Sequence, residues 1–107
     1  MLLYSVADKI VFSILKRINI GFLEITTISD QVLKFGNPND KLKASLKIKN
    51  SALNYNLIKG GSIGLAESYM RDEFETKNLS DLIELTARNI NIVHKFAGIL
   101  DLKFLIK

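Results

Sequence analysis

Leu3, Ala7, Ile10, Val11, Ile14 and Ile18 fall on one face of a helix, and Lys9, Ser13, Lys16 and Arg17 lie mostly off it. This spacing predicts an N-terminal amphipathic helix. Its closing cations suit the negative end of the helix dipole, and Asn19 and Gly21 are its stop. From Phe22 the period changes. The run GFLEITTI is rich in residues stiff at χ1 and predicts a strand, Ser29-Asp30 a turn, and QVLKF a second strand. The cluster Gly36-Asn37-Pro38-Asn39-Asp40 is a dense turn signal. KLKASLKIK then alternates: Leu42, Ala44, Leu46 and Ile48 point one way, Lys41, Lys43, Ser45, Lys47 and Lys49 the other. Three antiparallel strands with one wet face are the simplest account.

Helical spacing returns after residue 49. Asn50 or Ser51 is the expected cap of a helix running to about Lys59, with Gly60 as its left-handed C-terminal cap. Ser62 restarts a helix carrying Ile63, Ala66, Met70 and Phe74. Asn78 caps a last long helix with Asp81 as its capping-box partner. Its expected buried stripe is Leu79, Leu82, Ile83, Thr86, Ile90, Val93 and Ala97. Gly98 interrupts it before the apolar ending ILDLKFLIK. The order predicts an α+β fold: an N-terminal helix, a three-stranded antiparallel sheet, then three to four packed helices. Residues 1–107 are expected to form a single domain.

Composition narrows the chemistry. The chain has no cysteine, which excludes disulfides and thiolate metal sites. A formal net charge of +4 suits phosphate-rich partners or simply a solvated surface. Asp8 and Lys9 break the N-terminal apolar stretch, so a secretory signal is not expected, and no apolar run is long enough for a bilayer. The expected location is cytoplasmic. The lysines of the 41–49 strand lack interleaved aromatics, so nucleic-acid binding is the least favoured function; an anionic phospholipid surface is the alternative partner.

Gly60-Gly61-Ser62-Ile63-Gly64 invites comparison with a phosphate loop, but a helix precedes it and no Gly-Lys-Ser/Thr follows. A helix–helix corner fits better, with Gly60 and Gly61 at special backbone angles and Gly64 allowing close packing. Glu67 and Arg71 are spaced to pair on a helix surface. Asp72, Glu73 and Glu75 suit a solvated helix end, with too few oxygen ligands for a hard-cation site. His94 is the only histidine, and no nucleophile or orienting partner is marked for it. No catalytic, cofactor-binding or metal-ligating set emerges.

The run GGSIGLAESYMRDEFETKNLSDLIELTARN resembles the first domain of the cyclopropane-fatty-acyl-phospholipid synthases. Gly60, Gly61, Ser62, Gly64, Leu65, Glu67, Tyr69 and Met70 match that pattern, Arg88-Asn89 closes it, and FGNPND with the ASLKI strand resembles an upstream part. The departures are Ala66 and Glu73 in place of glycines and Phe74 in place of a tryptophan. The resemblance implies a role beside enzymes that transfer a methylene group from S-adenosylmethionine to an unsaturated acyl chain. In that family the cofactor loop belongs to a separate methyltransferase domain, and no Asp-Ile-Gly-Cys-Gly-Trp-Gly-like segment occurs here. The implied function is a non-catalytic lipid-binding or interaction module, peripheral to the inner face of the membrane. Its partner would be a catalytic methyltransferase domain in cis or in trans. Glu67, Tyr69, Met70 and Phe74 are the candidate lipid or domain interface. A stand-alone lipid carrier of sterol-carrier-like fold is the alternative, and a homodimer is compatible with either.

Overall fold

The computed structural model describes residues 2–91, with side chains from Val6 onward except at position 62. The order is α1 (Leu2–Leu15), β1 (Phe22–Thr26), β2 (Val32–Gly36), β3 (Lys43–Ile48), α2 (Leu53–Met70), β4 (Phe74–Glu75) and α3 (Leu79–Arg88). The α+β class is as expected. The sheet is not: it has four strands in the order β2-β1-β3-β4 and is mixed. β1 pairs antiparallel with β2 and parallel with β3, and β3 pairs antiparallel with β4.

The cause lies in how residues 37–42 pass the start of β1. A parallel pair needs a crossover, and here β2 with its two turns supplies it. The Asp40 carboxylate accepts from Gly21 N (2.9 Å) and Leu42 N (3.0 Å). Asn37 N donates to Gly21 O (3.0 Å) and Phe22 N to Leu42 O (2.9 Å). Two glycines make room for the passage. Gly21 has φ 85° and Gly36 φ 88°, and a Cβ on Gly36 would run into the Gly21 carbonyl oxygen. β3 is thus carried to the far side of β1 instead of lying beside β2. The turn between β1 and β2 falls where expected: Asp30 N donates to Thr27 O, and Asp30 takes the left-handed conformation at φ 66°.

One sheet face is apolar. Leu23, Ile25, Phe35, Ala44, Leu46 and Ile48 form a core with Ile18, Leu53, Phe74, Leu82 and Leu85. Burial of each large aliphatic side chain contributes roughly 1.5–3 kcal/mol. α1 adds a smaller cluster, Ala7, Val11 and Ile14 against Ile58 of α2. Buried Asn54 donates to Asp8 Oδ1 (2.9 Å) and ties the same two helices together. The other sheet face is polar, as the alternation of the 41–49 run predicts. On it Glu24 stands between Lys34 and Ser45, and Lys47 is opposite Glu75.

The helices depart from expectation in detail. α2 consists of two helical arms that meet at a kink at Gly61, so the expected break at the glycine run is present; its N-cap, however, is Ala52, and Asn50 accepts from Ala52 N (2.8 Å) ahead of it. Asn78 caps α3 by accepting from Asp81 N (3.1 Å), as expected. In α3 the fully buried residues are Leu82 and Leu85. Ile83 and Ile90 of the expected stripe are exposed, because the sheet is met by a narrower face than the stripe assumed. Val93, Ala97, His94 and the 99–107 ending lie outside the described residues, as does the side chain of Leu3.

Candidate functional site

The segment from Gly60 to Glu75 is built around a kink and a cap. Of the two glycines expected at special backbone angles, Gly61 takes one (φ 56°, ψ −131°), while Gly60, expected as a left-handed cap, has no positive φ. The chain bends there and sends residues 62–70 back along residues 53–60. Gly64 makes this possible: a Cβ at that position would strike the Asn56 carbonyl oxygen. The close-packed role expected for Gly64 is therefore met. The glycine run is the corner between two helical arms, as expected, not a strand-to-helix loop.

α2 ends in a Schellman motif. Glu73 N donates to Ser68 O (2.9 Å) and Asp72 N to Tyr69 O (3.0 Å), with Asp72 left-handed at φ 60°. The left-handed residue is thus Asp72, not Glu73, where the resemblance expects a glycine. The turn aims Glu73 inward. The expected solvated acidic end is corrected here, since Glu73 is only 7% exposed. Its carboxylate accepts from Asn56 Nδ2 (3.0 Å) and Arg71 Nε (3.0 Å), joining both arms of α2. Its main-chain oxygen accepts from Lys49 N (2.9 Å) and Asn50 N (3.1 Å), which fixes the end of β3.

Burial pushes the Glu73 carboxyl up, but the hydrogen bonds from Arg71 and Asn56, with the Ser68 hydroxyl close by, outweigh it and hold the group below the usual carboxylate range. The Ser68 hydroxyl acts in this sense by proximity, for it is fully buried and makes no hydrogen bond of ordinary geometry. Arg71 therefore pairs with Glu73 (3.0 Å), not in the expected pair with Glu67. Asp72 and Glu75 do face solvent, and both meet Lys49, at 2.7 and 3.6 Å. The hydrogen bond to Asp72 is the main reason the Lys49 ammonium is raised above its ordinary value.

The four candidate interface residues separate into two groups. Glu67, Tyr69 and Met70 are exposed, Met70 to 82%. Phe74 is 1% exposed and belongs to the core, where its ring meets Tyr69 at 5.6 Å. Ile63, two helical turns before Met70, is 70% exposed and completes an outward stripe with Glu67 and Met70. The matched pair Arg88-Asn89 also divides. Arg88 forms a surface pair with Glu84 (2.8 Å). Asn89 is buried: it donates to Ile20 O and Leu85 O, both at 2.9 Å, and accepts from Ile20 N at 3.4 Å. It clamps the end of α3 to the start of β1. Polar side chains give no periodic signal of burial, so the roles of Asn54, Asn56, Ser68 and Asn89 are not visible in the pattern of apolar positions.

A cavity of about 70 Å³ lies between the sheet and the helices, lined by Val11, Leu23, Leu46, Leu57, Leu65 and Leu85 among others. It is nearly all apolar, with Asn54, Thr86 and Asn89 at its margin. Among the described residues no group of three or more His, Asp or Glu is placed to hold a metal ion. No helix among them is long and apolar enough to cross a membrane. Lys47 of β3 stands opposite Glu75 and Lys49, just after the strand, meets Asp72, while Glu24 lies opposite Ser45, so the polar sheet face carries both signs of charge.

Comparison with known proteins returned no match among protein families, curated proteins or solved structures.

Proposed function

We propose that the protein is a non-catalytic interaction module of a lipid-modifying system of the cyclopropane-fatty-acyl-phospholipid synthase type, working beside an S-adenosylmethionine-dependent catalytic domain at the inner face of the membrane. The observation that carries this reading is the construction of the second arm of α2. That arm turns Gly64 and Ser68 inward and leaves Ile63, Glu67, Tyr69 and Met70 in solvent. Apolar side chains exposed on both sides of Glu67, on a helix braced by the Glu73 network, form a surface for contact, with either a partner domain or the acyl region of a membrane. The resemblance of the 60–89 run supports the choice of system.

A stand-alone lipid carrier is the weaker reading. A cavity of about 70 Å³ is small beside the ~150 Å³ that accommodates benzene and the ~300 Å³ or more of ordinary ligand pockets. It has space for the end of an alkyl chain but not for a whole one.

The test adds the purified protein to a separately produced cyclopropane synthase catalytic domain on vesicles containing anionic phospholipid, and measures methylene transfer. The expected result is a higher rate, lost with Ile63→Ser plus Met70→Ser while the circular dichroism spectrum is unchanged. No rate change over a range of ratios, together with no co-sedimentation with the vesicles at low salt, overturns the proposal.

A further inference from the structure

β2 is an edge strand, and among the described residues no strand pairs with its outer side. The register identifies which of its main-chain groups face outward. Thr27 N donates to Gln31 O, and Asn37 N donates to Gly21 O. Hydrogen-bonded pairs alternate in an antiparallel ladder, so Leu33 and Phe35 bond inward to Ile25 and Leu23. Val32, Lys34 and Gly36 then present their N–H and C=O groups to the outside. A groove of about 370 Å³ runs beside this edge, lined by Phe12 and Lys16 of α1 with Leu33, Lys34, Phe35 and Gly36. The Phe12 and Phe35 rings stack on its floor at 6.1 Å.

We infer that the outer edge of β2 takes up an extended peptide segment of apolar–acidic–apolar pattern as an added antiparallel strand. Side chains directly opposite each other share a sheet face. Residues opposite Leu33 and Phe35 would enter the groove over Phe12, which calls for apolar side chains. The residue between them would stand on the polar face against Lys34, which calls for a carboxylate. The inner neighbour of β2 already follows this rule, because Leu23-Glu24-Ile25 lies opposite Phe35, Lys34 and Leu33. Lys16 at the groove adds a second attraction for acidic partners.

The same lysine selects against a second copy of this chain. A two-fold pairing of β2 with itself, centred on the strand, would put Lys34 against Lys34, and like charges directly opposite are unfavourable. The inference is independent of the lipid reading and uses a different surface.

The test titrates the full chain with a fluorescent peptide carrying Leu-Glu-Ile at its centre and follows backbone amides by NMR. Saturable binding is expected, with new exchange protection at Val32, Lys34 and Gly36 and little change at Leu33 and Phe35. Lys34→Pro removes one outward donor without touching the ladder to β1 and should weaken binding by about tenfold or more. Lys34→Glu retains that donor and should reverse the preference, favouring a Leu-Lys-Ile peptide by about tenfold. No binding at about 1 mM peptide overturns the inference, as does binding indifferent to the Lys34→Glu reversal. Protection of Val32, Lys34 and Gly36 in the peptide-free chain at high dilution would overturn it too, by assigning the edge to the chain itself.

Discussion

Glu73→Gln keeps the volume of the side chain and removes its charge. The native carboxylate uses one oxygen for Asn56 and the other for Arg71. Glutamine offers one acceptor and one donor, so one of these contacts becomes donor against donor. A hydrogen bond to a charged group contributes about 1.5–3 kcal/mol. Arg71 is half exposed and regains water when its partner is lost, which places the cost near the middle of that range, about 2 kcal/mol at neutral pH. In a chain of this size that corresponds to a fall in Tm of about 10 °C. The folded carboxyl is held below its ordinary value, so its stabilisation is complete above the unfolded value of about 4.3 and is lost as pH falls through the lower folded value. Urea denaturation of both proteins from neutral pH into the acid range should show a gap that closes at the acid end. A gap that persists unchanged below about pH 3, or one under about 0.5 kcal/mol at neutral pH, would refute this account of Glu73.

Gly36→Ala imposes a left-handed conformation on a side chain and drives its Cβ into the Gly21 carbonyl, so a loss of about 2–4 kcal/mol is expected in the same denaturation assay. Asn89→Ala strips the clamp from the Ile20 main chain and should cost about 2 kcal/mol, with faster amide exchange at Ile20. Hydrogen bonds from Leu42 N and Gly21 N hold the Asp40 carboxyl below its usual range. Asp40→Ala should therefore lower Tm and speed exchange at Gly21 and Leu42, and the wild-type protection there should fade only as pH drops below the usual carboxylate range, through the lowered folded value.

The N-terminal helix, the first three strands and the cap of α3 were legible because each is a local signal: a period, a turn cluster or an Asn before an apolar run. Strand order was not, because pairing β3 with β1 depends on Asp40 reaching Gly21 across 19 positions of sequence. The two-residue β4 is too short for any period, and Phe74 looked helical because it continues the spacing of Met70 and Ile63. At the site, Glu67, Tyr69 and Met70 were found on the surface, while the buried position of Glu73 was hidden by its acidic neighbours. Its burial follows from the left-handed turn at Asp72, a conformation that an aspartate does not announce as a glycine would.

The two margins of the sheet are unequal. On one side β4 offers only two residues, and Lys49, Asp72 and Glu75 crowd beside them with fixed charges. On the other side, among the described residues, a full five-residue strand has no partner on its outer side. The β2 margin is therefore the more open of the two to an added strand. An unpaired edge of this length is a ready template for a further strand, whereas the β4 margin, short and beset with fixed charges, is blunted against one.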